Sequence, residues 1–143
     1  LVALTRLFLP GFIKKDFGGV MNVGSLAGFQ PGPNAAIYYA TKAFVLSFTE
    51  ALATELKKTN VKVSCLAPGP VETGFGEVSG MNKALLFKYS VMNVNDVVNT
   101  AYTEFMEGKT LIIPGLLTKF LPQLSRVFPR KLVREIAGKL NTV

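Results

Sequence analysis

Apolar positions along the chain fall into alternating periods. Leu1, Leu4, Leu7, Phe8 and Phe12 recur at helical spacing over 1–15, with Pro10 and Gly11 expected to mark an irregular end. Gly19-Val20-Met21-Asn22-Val23-Gly24 reads as a short strand, followed by a connection rich in glycine and proline as far as Pro33. Asn34 is an N-cap candidate for a helix from Ala35 to about Lys58, whose apolar residues, among them Ile37, Phe44, Leu46, Phe48 and Leu52, spread nearly all round it. Such a helix must be covered on more than one side. Val61 to Ala67 reads as a second strand, closed by Pro68-Gly69-Pro70. An irregular segment over 74–92 holds a short helix near Met81 to Lys88, Asn95 to Met106 is a third long helix, and Thr110 to Ile113 a third strand. Strands dense in valine, isoleucine and leucine that alternate with helices predict an α/β chain, a parallel sheet with helices on both faces. After Gly115 come two short amphipathic pieces around Pro122 and Pro129, the second with Leu132, Val133, Ile136, Ala137 and Leu140 on one face.

Composition narrows the chemistry. A chain of 143 residues with 49% hydrophobic content is one domain or part of one, with ample material for a core. The lone Cys65 lies in an apolar run and reads as a small buried hydrophobe; with no intrachain disulfide available, a reducing, cytoplasmic compartment is expected. There is no histidine, so Ser-His-Asp catalysis, Cys-His catalysis and histidine metal sites are not encoded, and no metal is expected. Val23 stands where a nucleophile elbow would need glycine, so Ser25 is not a hydrolase nucleophile.

Charge is unevenly placed. From residue 116 onward six basic residues face the single Glu135, a net of +5 out of the chain's +7. No stretch approaches the roughly 18 apolar residues of a membrane span. Leu116, Leu117, Phe120, Leu121, Leu124 and Phe128, followed by basic residues, suit a tail lying on an anionic membrane surface, and suit equally a helix packed on the domain or on a partner chain. Nucleic-acid binding is not expected, because the basic residues interleave with aliphatics rather than stacking aromatics.

One constellation carries chemistry. Tyr38 and Lys42 are four residues apart in the predicted second helix, so the phenol and the ammonium share one face. A tyrosine with its ordinary pKa of about 10 is a poor acid and base near pH 7, and a fixed positive charge beside it favours the phenolate. Ser25, thirteen residues upstream at the end of the first strand, offers a hydroxyl to hold the substrate oxygen that gains or loses the proton. Tyr39 has Ala43 rather than lysine four residues on, and its default role is packing.

Asn22-Val23-Gly24-Ser25, then Tyr38-Tyr39-Ala40-Thr41-Lys42-Ala43, then Leu66-Ala67-Pro68-Gly69-Pro70-Val71-Glu72-Thr73 resemble the C-terminal half of a short-chain dehydrogenase/reductase, three motifs in that family's order and spacing. The resemblance runs from Leu1 to Gly115 and implies the C-terminal part of a Rossmann-like, doubly wound parallel sheet of three strands, with 116–143 as a basic helical tail. It implies an oxidoreductase that interconverts a carbonyl and a secondary alcohol with NAD or NADP. Tyr38 would be the general acid or base; Lys42 would favour its phenolate and hydrogen-bond the nicotinamide ribose; Ser25 would stabilise the substrate oxygen. Pro68 and Gly69 would let the backbone approach the nicotinamide, with Val71 main-chain groups on the carboxamide and the Thr73 hydroxyl near the carboxamide or pyrophosphate.

The family's glycine-rich phosphate loop has no counterpart here. Gly74-Phe75-Gly76 with Gly80 follows the wrong strand, and Ser79 occupies the third-glycine position. Leu1 looks like the interior of an element, so the chain is expected to be a fragment that binds cofactor poorly and is inactive alone. The resemblance implies homo-oligomerisation through the first two helices. Phe75, Met81, Leu85, Leu86, Phe87 and Met92 suggest an apolar or acyl substrate, or simply pack a lid on the sheet. The rival to the enzyme is a non-enzymatic module for oligomerisation or membrane docking that keeps the motifs as ancestry.

Overall fold

The computed structural model describes residues 1–85, 87, 91–116 and 118–142. Helix α1 (Val2–Lys15) leads into strand β1 (Gly18–Val23), a 3-10 turn (Leu26–Phe29) and the long helix α2 (Ala36–Glu55). Strand β2 (Val61–Leu66), the single-turn α3 (Phe75–Val78), α4 (Val94–Met106) and β3 (Leu111–Ile112) follow, and α5 (Leu121–Val127) and α6 (Arg130–Leu140) form the tail.

The three strands form one parallel sheet in the order β1-β2-β3. Side-chain alternation along β2 sorts the core into two halves. Val61 and Val63 meet Leu52 and Leu56, with Leu9, Phe12 and Phe48 beside them, whereas Leu66 and Ile112 meet Val97 and Ala101. Helices α1 and α2 therefore cover one face and α4 the other, as the alternation of strands and helices predicts. Buried Asn22 donates to the Thr49 hydroxyl at 3.0 Å, which leaves no unpaired amide where β1 meets α2. Beyond β1 no described strand pairs, and Leu4, Leu7 and Phe8 of α1 and Ile37 and Phe44 of α2 are exposed.

Several boundaries differ from the sequence expectation. Helix α1 continues through Pro10 to Lys15, because the Arg6 carbonyl that loses its partner lies on the exposed side. It stops at Asp16, in left-handed conformation (φ 48°), whose carboxylate accepts from the backbone and side-chain nitrogens of Asn60 at 2.8 and 2.7 Å. Asn34 does not cap α2. Its φ is 66°, and its amide reaches Gly138 of α6 at 3.4 Å, so Ala35 precedes the helix without a side-chain cap. The helix also ends earlier than expected, at Glu55. Over the predicted short helix Met81–Lys83 is a 3-10 turn and Leu85 and Phe87 are helical; Leu86 and Lys88, and Leu117 of the tail, lie outside the described residues.

The tail is tied to α4 by charge. Glu104, largely covered on α4, receives Lys119 and Lys109, each at 3.1 Å. Burial pushes the Glu104 carboxyl up, but the hydrogen bonds from Lys119 and Lys109 outweigh it and hold the group below the usual glutamate value. A depressed carboxylate stabilises the fold above its unfolded pKa of about 4.3, and that contribution is lost as pH falls through the folded value. Glu104→Gln is expected to cost about 1 kcal/mol at pH 7, with the gap to wild type closing below about pH 4 in urea melts. A gap that does not change with pH would contradict the pairing.

Candidate active site

The site is assembled at the ends of two adjacent strands. Register between β1 and β2 runs from Gly18 opposite Val61 to Val23 opposite Leu66, and it continues one step further when Gly24 N–H donates to the Leu66 carbonyl at 2.8 Å. Gly24 has to be glycine: a Cβ there would lie 2.7 Å from the Cys65 sulfur. Next comes Ser25, in extended conformation and half-buried. Its Oγ accepts from Ala27 N–H at 3.1 Å and donates to the Pro68 carbonyl at 3.5 Å, while Leu26 N–H donates to the same carbonyl at 3.0 Å. Ser25 and the Pro68-Gly69 turn thus belong to one hydrogen-bonded unit.

Helix α2 brings the other two groups. The 3-10 turn after Ser25 packs so closely on it that a Cβ at Gly28 would sit 2.8 Å from the Lys42 carbonyl. Lys42 Nζ donates to the Val23 carbonyl at 2.9 Å and lies 5.6 Å from the centre of the Tyr38 ring. Burial lowers the Lys42 pKa from the ordinary lysine value. The Tyr38 ring rests against Phe75 of α3, with ring centres 5.9 Å apart, so the aromatic residue expected in the lid touches the expected acid.

Val71 and Thr73 are placed by a short parallel bridge to Met92, in which Met92 N–H donates to Pro70 (2.9 Å) and Glu72 N–H to Met92 (3.0 Å). Such a bridge turns the N–H and C=O of Val71 itself away from Met92. The Thr73 hydroxyl accepts from Phe75 N–H at 3.3 Å, at the start of α3, and donates to the Val71 carbonyl at 3.4 Å. A small cleft of about 230 Å³ lies beside Val71, Thr73, Gly76 and Phe87. A larger one, about 490 Å³, opens on the other side of the start of α2, between Phe29, Gly32, Tyr39, Ala40 and the tail's Arg130 and Arg134. Neither of these two clefts is lined by Ser25, Tyr38 or Lys42.

Tyr39 leaves the helix about 100° further round than Tyr38, and the two rings still meet edge to face with centres 6.1 Å apart. It is buried over Gly32, and its hydroxyl donates to the Asn141 side chain at 3.0 Å; Asn141, also buried, donates to the Pro33 carbonyl at 2.9 Å. Burial raises the Tyr39 pKa above its ordinary value. The end of α6 therefore clamps the loop entering α2. Asn141 lies 102 positions from Tyr39 and carried no signal in the sequence; neither did the Val23 carbonyl that holds Lys42. Cys65 is fully buried, as expected, and burial pushes its thiol up to about 11.

The family model for short chain dehydrogenase matches residues 1–84. The chain belongs to the short-chain dehydrogenase family. Among curated relatives, dehydrogenase/reductase SDR family member 4 of Sus scrofa is 39% identical over 83 residues, which is 58% of this chain and 30% of that protein. The NADP-dependent 3-hydroxy acid dehydrogenase YdfG of Escherichia coli is 44% identical over 71 residues, 50% of this chain and 29% of that one. A short-chain dehydrogenase from Sphingobium yanoikuyae, solved in complex with NADPH, superposes with a TM-score of 0.70 at 29% identity, over 90% of this chain and 54% of that one. This member of the family thus spans about a third of those two curated relatives and about half of that solved structure.

Two measurements check the packing around the site. Asn141→Ala strands a buried phenol and a carbonyl, and is expected to cost about 1–3 kcal/mol in urea unfolding; an unchanged midpoint would mean the clamp is not formed. Cys65 should resist alkylation at pH 7 in the native protein and react once denatured, since a buried thiol with a raised pKa is scarcely ionised.

Proposed function

We propose that the protein containing this chain is an oxidoreductase that interconverts a carbonyl and a secondary alcohol, with Tyr38, Ser25 and Lys42 as its catalytic groups. The single observation that carries the proposal is the tie among strand end, turn and helix: Ser25 bonded to Pro68, and Lys42 held between the Val23 carbonyl and the Tyr38 ring. In the reducing direction the Tyr38 hydroxyl gives its proton to the carbonyl oxygen, and the Ser25 hydroxyl, its one proton turned from the long 3.5 Å bond to Pro68, donates a hydrogen bond to that oxygen as negative charge develops on it. Lys42 stabilises the phenolate left behind. A nicotinamide cofactor, NAD or NADP, supplies or accepts the hydride when bound.

The residues present fit such a cofactor. An ammonium has three donors, so one bond to Val23 leaves Lys42 two for ribose hydroxyls. The main-chain groups of Val71 that face away from Met92 suit a carboxamide, Pro68 and Gly69 form the wall beside it, and the exposed Thr73 hydroxyl completes the set. We take 1–115 as the reaction-side part of the catalytic domain and 116–143 as the tail. Phe75 against Tyr38 favours an apolar or acyl substrate. The protein works as a homo-oligomer at the periphery of a membrane, its basic tail toward the lipid.

The exposed apolar residues of α1 and α2 favour a second reading, a non-enzymatic oligomerisation or docking module. Cofactor binding by the full-length protein separates the two, because such a module needs none.

In the full-length protein, Tyr38→Phe should lower turnover of a ketone substrate by about a hundredfold or more, with NADP(H) or NAD(H) affinity within about twofold, because only the transferred proton is deleted. Turnover within about tenfold of wild type would contradict the assignment. Lys42→Ala should weaken both turnover and cofactor binding, measured by steady-state kinetics and by fluorescence titration.

A further inference from the structure

Two residues of the interior are locally poor choices. Asn22 puts a carboxamide on the face of β1 that packs on α2, and asparagine is a weak strand former; Thr49 puts a hydroxyl inside α2, and threonine is a weak helix former. Thr49 is fully buried and Asn22 nearly so. Two apolar side chains of the same shape would fill this space with no polar group to satisfy. The polar pair instead completes itself. The Thr49 hydroxyl gives its one proton to the Val45 carbonyl at 2.6 Å, which leaves an oxygen lone pair for the Asn22 amide at 3.0 Å.

What this bond adds is direction. Elsewhere α2 lies on the sheet through hydrocarbon, Leu52 and Leu56 on Val61 and Val63, and burial of hydrocarbon has no preferred direction. Among the described residues two side-chain hydrogen bonds join α2 to the strands, Asn22 to Thr49 and Lys42 to the Val23 carbonyl. They involve adjacent residues of β1, and Lys42 and Thr49, about two turns apart, lie on nearly the same side of the helix. Tyr38, about three turns from Thr49, falls on that side as well. A shift of α2 along β1 would therefore carry the phenol and the ammonium together away from Ser25, which is held separately by the Pro68 carbonyl. Misplacing reacting groups by about 1 Å costs on the order of a hundredfold in rate.

We propose that Asn22 and Thr49 are positioning residues of the active site: their buried bond sets the place of α2 on β1, and so the approach of Tyr38 and Lys42 to the oxygen that Ser25 holds. The effect on catalysis rests on the proposed oxidoreductase function; the placement of Lys42 does not.

The test uses the full-length protein with three changes. Thr49→Val keeps the shape and deletes the hydroxyl, Thr49→Ser keeps the hydroxyl, and Asn22→Leu combined with Thr49→Val makes both partners apolar. Kinetics are measured on whichever of acetophenone and cyclohexanone wild type reduces faster, with NADPH or NADH. Thr49→Val should lower the urea midpoint and cut kcat about tenfold with ketone KM within about twofold, while Thr49→Ser should keep kcat within about twofold of wild type. The double variant should regain the urea midpoint, since no buried amide is stranded, and keep the loss of kcat; it carries the same comparison if Thr49→Val does not fold. A crystal structure of Thr49→Val, or of the double variant, should show the Lys42 bond to the Val23 carbonyl lengthened past about 3.5 Å. The positioning role is overturned by kcat within about twofold of wild type in Thr49→Val or in the double variant, because the bond would then serve stability alone. Thr49→Ser as slow as Thr49→Val, or the Lys42 bond unchanged in the crystal, would overturn it too. Wild type inactive on both ketones would instead count against the oxidoreductase function, and the crystal structure would still decide the placement.

Discussion

Parallel pairing of β1 with β2 is the constraint from which the rest follows. In-register pairing makes the two strands end side by side, at Val23 and Leu66, and the hydrogen bond from Gly24 to Leu66 carries the register one residue further. Ser25 and Pro68 are then brought within reach of each other with no further choice to make. The Val23 carbonyl, which this register turns away from β2 toward the open edge of β1, becomes the acceptor for Lys42. Backbone geometry thus places two side chains from distant parts of the chain beside the same turn.

Helix α2 divides its work between adjacent tyrosines. Tyr38 shares its face with Lys42 and meets Phe75, while Tyr39, about 100° further round, is buried and bonded to Asn141. Tyr38 and Lys42 thus share one face of the helix, while the neighbouring Tyr39 anchors it to the tail. Because Asn141 also holds the Pro33 carbonyl, and Asn34 reaches Gly138, the tail fixes the loop from which α2 starts. The same tail is joined to α4 through Lys119 and Glu104. Its inner side binds the domain at both ends.

Much of this was legible in local pattern. The alternation of apolar strands with long helices gave the parallel sheet, and the four-residue spacing of Tyr38 and Lys42 gave their shared face, because both are short-range properties of the backbone. Long-range contacts were not legible. Asn34 has the composition of an N-cap, yet its amide is engaged by a residue 104 positions away, and no local rule anticipates that competitor. Pro10 was expected to disturb the end of α1, but a proline on an exposed side costs a carbonyl only its helical partner, and water replaces it. The tail's apolar residues were visible in the sequence; that those of α5 turn outward depends on Pro122 packing inward, which only the folded chain reveals.

The central claim is that the paired strand ends and α2 bring Ser25, Tyr38 and Lys42 to bear on one reacting C=O group. A crystal structure of the full-length protein with cofactor and a carbonyl ligand tests it most directly. The account predicts the ligand oxygen within about 2.5–3.0 Å of both the Ser25 and the Tyr38 hydroxyl oxygens, with the Lys42 ammonium beside the cofactor ribose. A ligand oxygen held elsewhere, or the two hydroxyls turned to separate cavities, would contradict it.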